Sequence, residues 1–191
     1  MVATTADVIS SIANSVTALV ALAGVIVAGL GLNTWRKQIR GQSEYELAKK
    51  LMLQVYQLRD ALQDVRNPFL SVQEADKDSA EKDWEISAYN NRLKPVREII
   101  AQFNVSQLEA EVVWDDKTAN AKKALLDRVS RLHVVVNLYF SKQRNKITDE
   151  NLPKDYSDVL YRRGDDKDKY EKSLDEAVKE YEKVLKPHLR K

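Results

Sequence analysis

The chain has 191 residues, a formal net charge of +2 and no cysteine, which accommodates one domain with an appendage. The lack of cysteine excludes a disulfide scaffold, thiol catalysis and cysteine-based zinc sites. Only five glycines and four prolines interrupt a sequence rich in Lys, Glu, Ala and Leu, which predicts an all-α protein. The small net charge gives no indication of a nucleic-acid partner.

The first predicted element is a transmembrane helix within residues 1–34. No charged residue occurs in residues 8–32, and residues 18–32 contain only Ala, Val, Leu, Ile and Gly. At about 1.5 Å per residue, a helix over residues 8–32 reaches roughly 37 Å, enough to cross a hydrocarbon core of about 30 Å. A cleaved signal peptide is the main alternative, but residues 1–7 contain no Lys or Arg. We therefore expect a retained single span.

The residues after this helix predict its orientation. The basic juxtamembrane segment, residues 35–42, contains Trp35, Arg36, Lys37 and Arg40. Trp prefers the membrane interface, and Lys and Arg beside a span remain in the cytoplasm. We expect these four side chains to contact lipid head groups, with the N-terminus outside and the larger domain inside.

Small and polar residues form a heptad stripe along the predicted span. They follow one another at spacings of three and four residues and are Ser10, Asn14, Thr17, Ala21, Gly24, Ala28 and Gly31. Small residues allow two backbones to approach closely, so the stripe predicts an interface between transmembrane helices and hence a homo-oligomer. A simpler interpretation is that the stripe is only a by-product of the amino-acid composition of the span. A pore lined by Asn14 and Thr17 is a further alternative.

Helical periodicity predicts a cytoplasmic bundle of about four main helices in residues 43–191. Asn67-Pro68 and Pro187 are expected to end the first and the last of them, respectively. The predicted core positions of the first helix are Leu47, Leu51, Val55, Leu58, Leu62 and Val65. Those of the second are Trp84, Leu93, Val96, Ile99, Ile100 and Phe103. Those of the third, over residues 117–142, are Leu125, Val129, Leu132, Val136 and Tyr139, with Val134, Val135 and Phe140 beside them. Those of the fourth are Leu174, Val178, Tyr181 and Leu185.

Local signals also predict interruptions of these helices. Gly41 and Ser43 are expected to break the helix that leaves the membrane, with Ser43 and Glu46 forming a capping box. Pro95 is expected to kink one helix or to begin a new one. Ser106 and Glu109 form another candidate capping box, which predicts a short helix to Val113. Residues 71–80 and 151–168 are expected to be irregular.

No recognisable catalytic equipment is present, and no cofactor is expected. The five glycines form no phosphate-binding loop. His133 is interpreted as a histidine at the edge of the core, and His188 as a solvated one. Asp165, Asp166 and Asp168 lack the spacing of a calcium-binding loop, which favours a solvated charge run.

Residues 122–146 contain seven cations against the single anion Asp127, a local charge of +6. Such a patch could contact anionic lipid, RNA or an acidic partner. No interleaved aromatic platform for base stacking is evident in this stretch. We favour internal pairing, with acidic residues near Asp76, Asp78 and Glu81 or with the last helix.

Several short stretches together resemble a group of uncharacterised bacterial single-span proteins. The stretches are Thr34-Trp35-Arg36-Lys37-Gln38, Glu44-Tyr45-Glu46-Leu47-Ala48, Tyr56-Gln57-Leu58-Arg59-Asp60-Ala61, Val65-Arg66-Asn67-Pro68-Phe69 and Leu185-Lys186-Pro187-His188-Leu189. The resemblance implies a bacterial inner-membrane protein and no catalytic residues. Small membrane-anchored helical proteins also occur among bacterial anti-phage effectors. This is an analogy with their general architecture and does not rest on a shared motif.

These observations favour a non-enzymatic, self-associating membrane protein whose cytoplasmic domain binds a protein partner or senses a signal. A membrane-disrupting, pore-forming effector is the first alternative. A membrane-tethered hydrolase or nuclease that uses scattered carboxylates is the second.

Overall fold

The computed structural model describes residues 5–69, 84–144, 147–163 and 168–189, all of them helix, turn or loop with no strand. Two compact units divide the chain, Met1–Glu44 and Tyr45–Lys191. The α-helices are α1 (Thr5–Val65), α2 (Trp84–Trp114), α3 (Ala119–Gln143), α4 (Tyr156–Leu160) and α5 (Lys169–Leu189). Short 3-10 turns occupy Asp115–Thr118 and Asp149–Asn151. The all-α prediction is therefore confirmed for the described residues.

Helix α1 is continuous over 61 residues, so the expected break at Gly41 and Ser43 is wrong. One glycine inside a helix costs only about 1 kcal/mol relative to alanine, which long helical stretches on both sides can offset. Ser43 consequently lies inside the helix and begins no capping box there. The helix ends at Val65, directly before Arg66, Asn67 and Pro68, as predicted.

Side-chain contacts set the directions of the four long helices in the second unit. The contacts are Lys50–Glu109 and Asp64–Arg92 between α1 and α2, Tyr56–Glu182 and Gln63–Glu171 between α1 and α5, Lys122–Glu111 and Tyr139–Glu85 between α2 and α3, and Phe103–Tyr181 and Trp114–His188 between α2 and α5. Residue numbers run in opposite senses in the first three pairs of helices, which are therefore antiparallel. They rise together in the last pair, so α2 and α5 are parallel. The arrangement is that of an up-and-down bundle.

The predicted core positions are largely confirmed. Every apolar position predicted for α1 and α5 is buried. On α3, Leu125, Val129, Leu132 and Val136 are buried with Phe140, while Tyr139 is half-buried and Val134 points to solvent. On α2, Leu93, Val96 and Phe103 are buried, while Trp84, Ile99 and Ile100 are half-buried.

Neither Pro95 nor Ser106 ends α2, which continues to Trp114. Pro95 is exposed, so water can solvate the carbonyl group that a proline leaves without a helical partner. The hydroxyl of buried Ser106 donates to the carbonyl oxygen of Gln102 at 3.2 Å instead of capping a new helix. The helix ends where Asp115 adopts a left-handed conformation (φ 56°), which aspartate tolerates better than most residues.

Two further boundary predictions are wrong. Residues 151–168 contain the short helix α4, whose Val159 and Leu160 are buried in the core. Pro187 does not end α5, which continues two residues further to Leu189. Burial of apolar side chains thus overrides the weak local signals at both places. The predicted loop at residues 71–80 lies outside the described residues.

The burial pattern of α3 gives a matched pair of stability variants. Leu132 is fully buried and Val134, two residues later, is 54% exposed. Leu132→Asp should lower the free energy of unfolding by about 3–5 kcal/mol, because it buries an unpaired carboxylate. Val134→Asp adds the same charge at the surface and should change it by less than about 1 kcal/mol.

Urea denaturation of the full-length protein in detergent, followed by circular dichroism, measures both changes. Equal stability of the two variants would contradict the assignment of the buried face of α3.

Candidate functional site

The first unit contains an apolar helix that no other part of the described chain covers. Every described side chain from residue 10 to residue 40 is exposed. Leu19 is 67% exposed and Val25 is 71% exposed, on different faces of the helix. By length and composition, α1 is the one helix among the described residues that could cross a membrane. We call residues 10–32 the apolar segment.

Open space surrounds the glycines of the apolar segment. A Cβ atom added to Gly24, Gly29 or Gly31 would meet no atom within 4 Å, apart from the chain neighbours and the helix backbone. No contact within the described chain therefore requires glycine at these positions. Since each glycine weakens a helix by about 1 kcal/mol relative to alanine, their use here has no explanation within one chain.

The polar members of the stripe differ in how their hydrogen bonds are satisfied. The hydroxyl of Thr17 donates to the carbonyl oxygen of Ala13 at 2.9 Å, within the helix. Ser15, beside the stripe, bonds to Ser11 in the same way. The side chain of Asn14 has no hydrogen-bond partner among the residues that the structure describes. Asn14 is thus the stripe residue with an amide available to a second helix.

The predicted head-group residues are all exposed. Trp35 is 60% exposed, and Arg36 and Lys37 are exposed beside it. Nε of Arg40 lies 3.2 Å from a carboxylate oxygen of Glu44, one helical turn later. Such an exposed pair contributes only about 0.5 kcal/mol, so a lipid phosphate can compete for Arg40.

The second unit contains a buried ionic site that periodicity alone did not predict. Arg66 is fully buried just after the end of α1. One terminal nitrogen of its guanidinium lies 2.8 Å from both carboxylate oxygens of Asp168, and the other lies 2.8 Å from Glu171. Nε donates to the carbonyl oxygen of Val159 at 2.9 Å, and the guanidinium stacks 4.4 Å from the ring centre of Tyr170. We call this group the Arg66 site.

Asp168 caps α5 from within the Arg66 site. Its carboxylate accepts hydrogen bonds from the backbone amides of Glu171 and Arg163 at 2.9 and 3.1 Å. Burial alone would raise the pKa of Asp168, but these amides and the Arg66 guanidinium outweigh burial and hold the pKa below its usual value. The interpretation of Asp168 as part of a solvated charge run is therefore wrong. Asp165 and Asp166 lie outside the described residues.

Two sequence signals could have pointed to the residues of this site. Asp168 precedes Glu171 by three residues, which is the spacing of a capping box at the start of the last helix. Arg66 lies at the end of the apolar face of α1, four residues after Leu62 and one after Val65. A long side chain at this position can extend across the end of the core. Neither signal identifies the partner, because the two residues are 102 positions apart.

The basic residues 122–146 are partly paired within the protein, as expected, although with different partners. Lys122 pairs with Glu111 at 3.1 Å, and Arg131 pairs with Asp155 at 2.5 Å. The expected partners at residues 76, 78 and 81 lie outside the described residues. His133 is exposed beside buried Leu132.

Among the described residues, no three His, Asp or Glu side chains lie close enough together to hold a metal ion. No family model, curated protein or solved structure matches the chain.

The Arg66 site predicts a particular pH dependence of stability. The lowered pKa of Asp168 stabilises the folded protein above the unfolded pKa of about 4, and this stabilisation is lost as pH falls through the folded pKa. Asp168→Asn should therefore lower the free energy of unfolding by up to about 3 kcal/mol at pH 7, because buried Arg66 loses one of its two counter-charges and keeps Glu171. The variant should lose less further stability than the parent below about pH 4.

Urea denaturation at pH 7 and at lower pH tests both statements. Asp155→Asn is the control, since its partner Arg131 is exposed and the change should be about 1 kcal/mol or less. Similar losses for the two variants would show that the Asp168 pair is not a strong contact.

Proposed function

We propose that the chain is a membrane-anchored, self-associating helical protein of the bacterial inner membrane. The observation that carries this proposal is the uncovered apolar segment, with ten exposed large aliphatic side chains between Ile12 and Leu32. Removing one such side chain from water contributes about 1.5–3 kcal/mol, so the segment strongly favours lipid over water. A soluble monomer rarely exposes so large an apolar surface.

The residues after the apolar segment support one orientation. Trp35 provides an interfacial ring, and the exposed Arg36 and Lys37 provide cations that favour the cytoplasmic side. We infer that the N-terminus lies outside and that the unit Tyr45–Lys191 is cytoplasmic. The same cations would attract anionic lipid head groups.

Self-association through the stripe is supported by the open surroundings of its glycines. Gly24 and Ala28 lie one helical turn apart, where a second backbone could approach closely. The side-chain amide of Asn14 could hydrogen-bond to its counterpart in the second helix. We therefore favour a packed homo-oligomer of spans. The self-satisfied hydroxyl of Thr17 gives little support to a water-lined pore.

The cytoplasmic unit has an apolar face that suits the same assembly. Four exposed residues on α2 recur at spacings of four, three and four, and they are Ala101, Val105, Leu108 and Val112. This spacing is typical of helices that pack side by side. Two copies joined through their spans would have a high effective concentration, so even a weak contact between these faces could form. We assign a second copy of the chain as the occupant.

Substitutions in the apolar segment test the proposal. Gly24→Leu with Ala28→Leu should weaken self-association at least several-fold, because the larger side chains force the backbones apart. Leu22→Phe with Ile26→Phe adds bulk at the same spacing on the opposite face and should have little effect. Both double variants keep the segment apolar, so insertion into the membrane is preserved.

Crosslinking in membranes, or energy transfer between labelled copies in liposomes, measures the association. Unchanged association of the Gly24 and Ala28 variant would show that the stripe is a by-product of span composition. The protein would then be a helical bundle with a passive membrane anchor.

A further inference from the structure

A cleft of about 290 Å³ lies between α3, α5 and the residues around α4. Arg128 and Arg131 line it from α3, Asp155 and Asp158 from the α4 region, and Lys169 and Tyr170 from the start of α5. The volume is near the lower end of the range for small-molecule sites, which begins at about 300 Å³. The cleft therefore has room for a small ligand and is rich in charge.

Some charged side chains of the cleft form ion pairs, and others do not. Arg131 pairs with Asp155 at 2.5 Å, and Asp158 pairs with Arg163. The side chains of Arg128 and Lys169 have neither an ion pair nor a hydrogen bond among the residues that the structure describes. Nε of Arg128 is buried with no partner. Since no carboxylate of the described chain pairs with Arg128, its positive charge at the cleft wall is left for an anion from outside the chain to neutralise.

The Arg66 site holds the walls of this cleft. The hydroxyl of Tyr170 donates to the backbone carbonyl of Arg128 at 2.8 Å, and the Tyr170 ring stacks on the Arg66 guanidinium. Arg66 also donates to the carbonyl oxygens of Asp158 and Val159, both at 2.9 Å. The backbone segments that carry the two unpaired cations are therefore held in place, so only their side chains have to be ordered when an anion binds.

We propose that this cleft is a binding site for a phosphate group carried by a small ligand. The guanidinium of Arg128 can bind two phosphate oxygens at once, and the ammonium of Lys169 supplies a second positive charge. Arg131 and Asp155 form a polar rim beside them. The phosphate belongs either to a soluble ester or to a lipid head group. This site would give the cytoplasmic unit a signal to sense, and it does not depend on the membrane orientation proposed above.

Calorimetric titration of the full-length protein in a phosphate-free detergent solution tests the site. The probes are inorganic pyrophosphate and, separately, water-soluble dibutyryl phosphatidylglycerol. We expect one of them to bind saturably, pyrophosphate if the ligand is a soluble ester and the lipid analogue if it is a head group. Arg128→Gln should weaken that binding at least about tenfold, because it removes a charge-assisted pair of hydrogen bonds.

Two further variants make the result decisive. Lys169→Gln changes an exposed position, so it should keep the fold and still weaken binding about tenfold. Lys123→Gln removes the same charge from an exposed position of α3 outside the cleft and should leave the affinity unchanged. Saturable binding that only the cleft variants weaken supports the site. No saturable binding of either probe, or equal weakening by Lys123→Gln, would overturn it.

Discussion

The buried guanidinium of Arg66 is the constraint on which the second unit depends. A guanidinium has five N–H groups and remains charged, so its burial requires acceptors and a counter-charge in fixed positions. Asp168 and Glu171 supply the charge, and carbonyl groups around α4 supply further acceptors. The end of α1, the segment containing α4 and the start of α5 must therefore meet at one point. The capped start of α5 and the stacked ring of Tyr170 follow from the same arrangement.

The two units differ in whether their apolar side chains are covered by other parts of the chain. The apolar segment is apolar on nearly every face and has no covering partner among the described residues, so we propose lipid as its solvent. From Leu47 onward the apolar residues of α1 are confined to one stripe and are buried by neighbouring helices. Under this proposal, the change of pattern within a single helix marks where the chain passes from lipid to water.

Local periodicity was sufficient to predict the helices and most of their buried faces. The core positions predicted for α1 and α5 are all buried, because each helix can bury only one side against its neighbours. Helix ends were predicted less well, since α2 continues past Ser106 to Trp114 and α5 continues past Pro187 to Leu189. Of the two alternatives for Pro95, a new helix beginning there is excluded, because α2 continues through it. The pair of Arg66 and Asp168 was missed because tertiary contact joins residues 102 positions apart. Of the two unpaired cleft cations, Arg128 was visible only as one of the basic residues 122–146, and Lys169 lies outside that stretch. Their lack of partners is a property of the fold.

The central claim, that the apolar segment crosses the membrane with its N-terminus outside, can be tested by labelling. The chain has no cysteine, so Thr5→Cys and Lys123→Cys each introduce a single thiol. In spheroplasts, a membrane-impermeant maleimide should label Thr5→Cys at once and Lys123→Cys only after the membrane is permeabilised. Labelling of Lys123→Cys before permeabilisation would contradict the orientation. Recovery of both variants in the soluble fraction would contradict the membrane span itself.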